Sequence, residues 1–298
     1  MTGRLVVAAG VLLLVAHGAG QSTGQPPGQI ATFRATTIVV RVDVAVRRGN
    51  TPVAGLTAAD FDLLDNGVRQ QIDSLAVEDV AVDVTLAVDT SGSVIKDLEA
   101  FKTEVRRFVR ILRPVDRVRL IAIATGVDEL VPMGPAQGDL DLSGLKPGGF
   151  TSSNDGLFYA LLWPADVDRR HLVIALTDGI DTQSTLSSES VIDVATRARA
   201  VFHVVLVDGL GSFMTTWQKG ARDAVADAAV KSGGAVHDLE RASSDFKRIF
   251  DDFRASYVLR YSPEGVARDG WHELKVAVKR PDASRMTIRA KPGYWGEK

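Results

Sequence analysis

The chain contains no cysteine. Disulfides, thiol nucleophiles, zinc–thiolate centres and iron–sulfur clusters are therefore excluded. An excess of either charge is also missing. Lys and Arg number 35, Asp and Glu 37, and the formal net charge is −2. That balance makes no electrostatic case for nucleic acid or an anionic membrane surface. Long apolar runs are scarce as well. Leu5 to Ala16 is shorter than the roughly 20 residues of a membrane-spanning helix, and no other long stretch follows. It stands between Arg4 and small residues reaching Gly20, the charge–apolar–small layout of a secretory signal peptide. Export is expected, with cleavage near Gly18 to Gly20 and a soluble mature protein. A retained N-terminal anchor is the alternative.

What is present suffices for a sizeable core. The 298 residues are 45% hydrophobic, enough for roughly two domains. Residues 1–20 read as signal peptide and 21–30, rich in Gly, Pro, Gln and Ser, as linker. Ile38, Val40, Val42, Val44 and Val46 alternate with polar residues, a strand with one wet face. Phe61–Leu64 and Val68–Leu75 read as strands around the turn Asp65-Asn66-Gly67. Residues 31–78 thus form an N-terminal β region. From 79 to 254 strands alternate with helices. Val80–Val88, Val118–Ala124, Leu172–Leu176 and Val201–Val207 are apolar. Helical patterns cover Leu98–Leu112, Asn154–Trp163, Glu189–Ala200 and Ala221–Lys231. Such alternation predicts a parallel sheet covered on both faces. Strands return after residue 254, at Tyr257–Tyr261, Leu274–Val278 and Met286–Ala290. The expected fold is α/β, a doubly wound, mostly parallel sheet. It is inserted in or flanked by a β-sandwich-like region, in which 255–298 packs with 31–78.

Two runs follow apolar strands directly: Asp89-Thr90-Ser91-Gly92-Ser93 and Thr177-Asp178-Gly179. Between them lies Gly148-Gly149-Phe150-Thr151. Loops after the carboxyl ends of parallel strands meet at one crevice, so Asp89, Ser91, Ser93, Thr151 and Asp178 are expected to converge. They offer two carboxylates and three hydroxyls, an oxygen-only set suited to a hard cation such as Mg²⁺. Few charged ligands leave the ion able to take one more anion.

These residues resemble the metal-ion-dependent adhesion site of von Willebrand factor A domains, over roughly residues 79–254. The resemblance implies Ser91, Ser93 and Thr151 as hydroxyl ligands, with Asp89 and Asp178 acting directly or through water. It implies Mg²⁺, with Mn²⁺ or Ca²⁺ as alternatives, and a protein partner presenting an Asp or Glu. Gly55-Leu56-Thr57-Ala58-Ala59-Asp60-Phe61, Tyr257-Val258-Leu259-Arg260-Tyr261-Ser262-Pro263 and Lys291-Pro292-Gly293-Tyr294 resemble the bacterial exported VWFA-related domain proteins. Ala124-Thr125 stands where that family often has Phe-Ser, and Ser152-Ser153 is more polar than usual.

Plainer readings stand beside this one. Asp89 is also suited to capping a helix. Asp155 and Asp181 read as supports or solvated groups, His203 as a hydrogen-bonded core residue, and Arg106, Arg107, Arg110 and Arg113 as a solvated face. Trp271, Tyr294 and Trp295 read as sandwich core. His171, His237 and His272 lack metal-ligand spacing. An exported, non-enzymatic, metal-dependent binding module is the leading function. The alternatives are a metal-assisted phosphohydrolase, disfavoured because Ser91 stands where Asp-x-Asp would need its second carboxylate, and a structural domain with an idle site. The resemblance further implies that the last helix, at Ser244–Phe253, can shift when the metal gains an acidic ligand, and its near-direct run into the strand at Tyr257 would pass the shift to the β region.

Overall fold

A computed structural model describes residues 38–296 apart from 78–79, 137, 139, 165, 167–168, 208–213 and 240–241. The expected signal peptide, the linker and residues 31–37 lie outside the described residues. The described chain opens with β1 (Val40–Arg48), whose Val40, Val42, Val44 and Val46 are buried as the alternation predicts. Next come β2 (Thr51–Pro52), β3 (Phe61–Asp65), β4 (Val68–Arg69) and β5 (Ser74–Val77). Asn66 and Gly67 both take positive φ, at 47° and 80°, as a tight two-residue hairpin demands. The continuous strand expected over Val68–Leu75 is broken. β4 pairs with β3, whereas β5 joins a different sheet. Gln70 marks the switch: its side chain bonds the carbonyl of Glu264 at 3.0 Å and accepts the Glu264 amide at 2.9 Å.

The middle of the chain runs β6 (Val82–Asp89), α1 (Leu98–Val109), β7 (Arg117–Ile123), β8 (Val127–Pro135), α2 (Ser153–Leu161), β9 (Arg170–Thr177), α3 (Ser188–Arg197), β10 (Val201–Leu206), α4 (Thr216–Lys231), β11 (Val236–Asp238) and α5 (Ala242–Ala255). The sheet order is β11-β10-β9-β6-β7-β8. Every pair is parallel except β7–β8. Two of these strands escape the sequence reading. β8 is a half-buried edge of irregular register, and β11 has only three residues. α4 also starts earlier than expected, because Thr215 and Gln218 form a reciprocal capping box ahead of the apolar stripe.

Strand alternation divides the core. Val84, Leu86 and Val88 pack toward α1 and α5, while Ala87 faces the layer of α2, α3 and α4. Phe108 of α1 meets Phe246 and Phe250 edge-on, with centroids 5.7 and 5.5 Å away. Each such pair adds about 0.5–1.5 kcal/mol beyond area burial.

The chain closes with β12 (Tyr257–Tyr261), β13 (Gly270–Val278), β14 (Thr287–Ala290) and β15 (Gly293–Gly296). These strands pair with the first ones. β1 lies between β12 and β14, and β3 pairs with β13. Two sheets result, β14-β1-β12-β5 with β2 at the side and β15-β13-β3-β4, and their buried residues share one apolar cluster. Asp65, fully buried within it, accepts from Tyr261 Oη at 2.7 Å and Tyr294 Oη at 3.0 Å and pairs with His272 Nδ1 at 2.8 Å. Trp271 and Trp295 are not core: both are exposed and meet edge-on at 6.1 Å. Arg170, the first residue of β9, bonds Asp43 of β1 at 2.6 Å, joining the α/β layers to the strands of the chain ends. Among the described residues, no helix is long and apolar enough to cross a membrane.

Candidate metal centre

Strand order reverses between β6 and β9. β7 continues outward from β6 on one side, β10 from β9 on the other. Ligands of open α/β sheets bind outside the strand ends at such a point. Asp89 ends β6 and Thr177 ends β9, so the two quoted runs emerge side by side.

Asp89 is fully buried. Its Oδ1 accepts the Ser91 amide at 2.8 Å, and its Oδ2 accepts Thr177 Oγ1 at 2.7 Å. The first bond folds the turn back, leaving Ser91 Oγ 3.2 Å from Ser93 Oγ. The Gly148–Thr151 loop is laced to this turn. Gly92 N donates to Gly149 O at 3.2 Å, and Gly148 N to Thr90 O at 2.9 Å. Thr125 braces it from behind, accepting Phe150 N at its hydroxyl and Ser152 Oγ at its carbonyl. Gly149 is required there: its φ is +82°, and a Cβ would fall 2.2 Å from Thr125 Oγ1.

Buried Thr151 joins that loop to the one after β9. Its amide donates to Thr182 Oγ1 at 2.8 Å, and its carbonyl accepts the amides of Thr182 and Gln183 at 2.9 and 3.1 Å. Asp178 is fully buried, with Oδ1 accepting Ile180 N at 3.0 Å. Its Oδ2 is buried without a hydrogen-bond partner. Arg222 of α4 holds the backbone here, donating to the Asp178 carbonyl at 2.9 Å and the Val207 carbonyl at 2.6 Å. Asp89, Ser91 and Ser93 therefore share one turn. Hydrogen-bonded loops tie that turn to Thr151, and the Thr177–Asp89 bond ties it to the strand end bearing Asp178.

The electrostatics agree with this proximity. Burial pushes the Asp89 carboxyl up to about 6, and the Asp178 charge adds to the rise. Asp97 is also raised, first by burial and further by Asp178. Negative charge is thus crowded and poorly solvated. Among the described residues, no three His, Asp or Glu side chains gather into a metal-ligating group. The donor set consists of two carboxylates with hydroxyls. Its chemistry, and the orphaned Asp178 oxygen, fit a hard divalent cation.

Asp155 and Asp181 serve as staples. Asp181 Oδ2 accepts Asn154 N at 2.8 Å, and Asp155 accepts the amides of Thr185 and Leu186 at 3.0 and 2.9 Å. His203 is a hydrogen-bonded core residue, but its partner is His237, with Nδ1 and Nε2 2.9 Å apart. Arg113 is half-buried, bonding the Val80 carbonyl at 2.9 Å, so that arginine is more than part of a solvated face. The supporting roles of Thr125 and Thr177 escape sequence reasoning. Only Thr177, adjoining Asp178 at a strand end, offered a signal.

No family model matches the chain, and no curated protein matches it. Several solved structures are similar. A von Willebrand factor type A protein from Catenulispora acidiphila shares 12% identity, covering 86% of this chain and 73% of its own, with a TM-score of 0.46. The ArnB paralog VWA2 from Sulfolobus acidocaldarius shares 11%, covering 86% and 76%, also at 0.46. The conserved hypothetical protein BatB from Bacteroides thetaiotaomicron shares 17%, covering 58% and 98%, at 0.43. The solved structures to which this chain is similar thus include von Willebrand factor A proteins.

Proposed function

We propose that Asp89, Ser91, Ser93, Thr151 and Asp178 hold one divalent cation, Mg²⁺ first and Mn²⁺ or Ca²⁺ as alternatives, and that the site grips an Asp or Glu side chain of a partner protein. The reading rests on Asp178 Oδ2, a buried carboxylate oxygen with no partner. An unsatisfied buried acceptor costs about 1–3 kcal/mol, more when charged, and a cation supplies the missing partner. Bound metal would act as a Lewis acid toward carboxylate oxygen. The protein's own groups do the rest. The Ser91 amide and Thr177 hydroxyl fix the Asp89 carboxylate, and the Thr125 and Thr182 bonds hold Thr151 in place. Hydroxyl donors add no formal charge, so two carboxylates would at most neutralise the ion, and a coordination position left to water would be open to an outside carboxylate.

The module is non-catalytic in this reading, exported on the N-terminal charge–apolar–small pattern, and braced by a β-sandwich formed from the two smaller sheets. Calorimetric titration with Mg²⁺, Mn²⁺ and Ca²⁺ tests it. Saturable uptake should stabilise the fold by about 2.7 kcal/mol at a hundred times Kd, be reversed by EDTA, and weaken at least about tenfold in Asp178→Asn. Absence of uptake of all three ions at millimolar concentration would sink the reading.

A further inference from the structure

An apolar cavity of about 420 Å³ lies between the last turns of α2 and α3. Its volume falls within the roughly 300–1,000 Å³ of small-molecule sites. Phe158, Leu161, Leu162 and Val194 supply apolar lining, and Leu162 is 55% exposed. The charged lining is two arginines against one carboxylate. Arg197 donates to both oxygens of Asp193, at 2.8 and 2.9 Å. Exposed Arg199 is therefore the excess charge. Trp163 also lines the cavity, and its Nε1 is buried with no hydrogen-bond partner. Against the Trp163 ring stands Arg119, with Cζ 4.8 Å from the ring centroid and 4.7 Å from that of Tyr159. Arg119 is almost fully buried. It donates to the Tyr159 carbonyl at 3.2 Å, while its Nε has no partner. Burial disfavours its charge, and Glu129, which offsets this in part, accepts the Tyr159 hydroxyl at 2.6 Å. Indole and guanidinium N–H groups only donate. Both orphaned groups thus call for an acceptor, and the surplus charge around them is positive.

We propose that this cavity binds a small organic carboxylate with an apolar body, of the medium-chain fatty acid class. The chain lies against Phe158, Leu161, Leu162 and Val194. The carboxylate accepts the Trp163 N–H and pairs with Arg199. Complementarity of sign chooses this occupant. A cationic amphiphile would meet the arginines and leave the indole unsatisfied. A neutral alcohol could accept from the indole but would leave the Arg199 charge unanswered. The cavity holds its ligand without a metal ion, so it is independent of the candidate metal centre, from which α2 leads away two residues after Thr151.

The test is calorimetric titration of the full chain with decanoate, decanol and decylamine at neutral pH, each below its micelle concentration. EDTA is present, so that no metal can draw the carboxylate elsewhere. Decanoate should bind at least about tenfold tighter than decanol, and decylamine most weakly. Octanoate, two methylenes shorter, should bind about tenfold more weakly than decanoate. Arg199→Gln should lower decanoate affinity about fivefold and leave decanol unchanged. Trp163→Phe keeps an aromatic ring without the N–H and should weaken decanoate by a similar factor. Trp217→Phe, at an exposed tryptophan of α4, should change nothing. No decanoate uptake at millimolar concentration overturns the proposal and leaves the metal site untouched. Equal affinity for the three probes, or uptake undiminished in both Arg199→Gln and Trp163→Phe, overturns it as well. A dimer in sedimentation that Leu162→Ser dissolves, with no decanoate uptake, would make the occupant a second copy and overturn the small ligand.

Discussion

Thr177 Oγ1 donates a 2.7 Å hydrogen bond to Asp89 Oδ2, across the two central parallel strands at the point where sheet order reverses. The same hydroxyl accepts the Gly179 amide at 3.0 Å. One small side chain thereby orients the buried carboxylate and shapes the turn that follows Asp178. Thr177→Val keeps the volume and removes both bonds. It should destabilise the fold by about 1–3 kcal/mol and weaken Mg²⁺ uptake, as read by urea unfolding and calorimetry. Unchanged values in both would show that Asp89 needs no such holder.

Gly149→Ala should be costlier than Gly148→Ala. Both glycines have positive φ, at 82° and 144°, but only at Gly149 would the new Cβ meet an atom, 2.2 Å from Thr125 Oγ1. That oxygen holds Phe150 N, so it cannot yield without loosening the loop that ends at Thr151. The left-handed backbone alone costs about 1–2 kcal/mol, and the clash adds to it. Thermal unfolding of the pair checks the order, and equal midpoints contradict it.

His171 should impose an acid limit on stability. It is buried beside Thr85, with Oγ1 and Nε2 3.0 Å apart, and burial drives the imidazole down to about 4. Between pH 6.5 and 4 the unfolded chain binds a proton there and the folded chain does not. Stability therefore falls as pH falls through this window, by about 1.4 kcal/mol per unit at most. Asp89, raised to about 6, contributes with the opposite sign. Comparing wild type with His171→Gln at each pH cancels that contribution. The variant should lose less stability than wild type on going from pH 6.5 to 4. Parallel stability–pH curves would remove His171 from the account.

Asp43→Asn probes the link between β1 and β9. Its partner Arg170 is almost fully buried, with its Cζ 4.0 Å over the Phe253 ring. Removing the carboxylate leaves a desolvated guanidinium without that counter-charge, and breaking a buried pair typically costs about 3–5 kcal/mol. Asp43 is itself partly exposed, which places the expectation near the lower figure. Urea midpoints measure it, and a change below about 0.5 kcal/mol would mean that solvent screens the pair.

The sequence by itself determined the α/β alternation, because apolar strands and 3.6-period helices announce themselves locally. It also determined the chemical character of the candidate site, since Asp89, Ser91, Ser93, Thr151 and Asp178 all stand in short runs at strand ends or close behind a glycine pair. Short or irregular strands such as β8 and β11 left no readable period, and the break inside Val68–Leu75 falls where Gln70 bonds residue 264, a contact that no local pattern announces. Tertiary structure alone decided which residues support the ligands. Thr125 and Thr177 act through hydrogen bonds between segments distant in sequence, and no local pattern encodes that distance. It alone also decided that Trp271 and Trp295 face solvent while Asp65 and His272 are buried. Side-chain polarity predicts burial only until a buried carboxylate finds enough donors, and here two tyrosines and a histidine provide them.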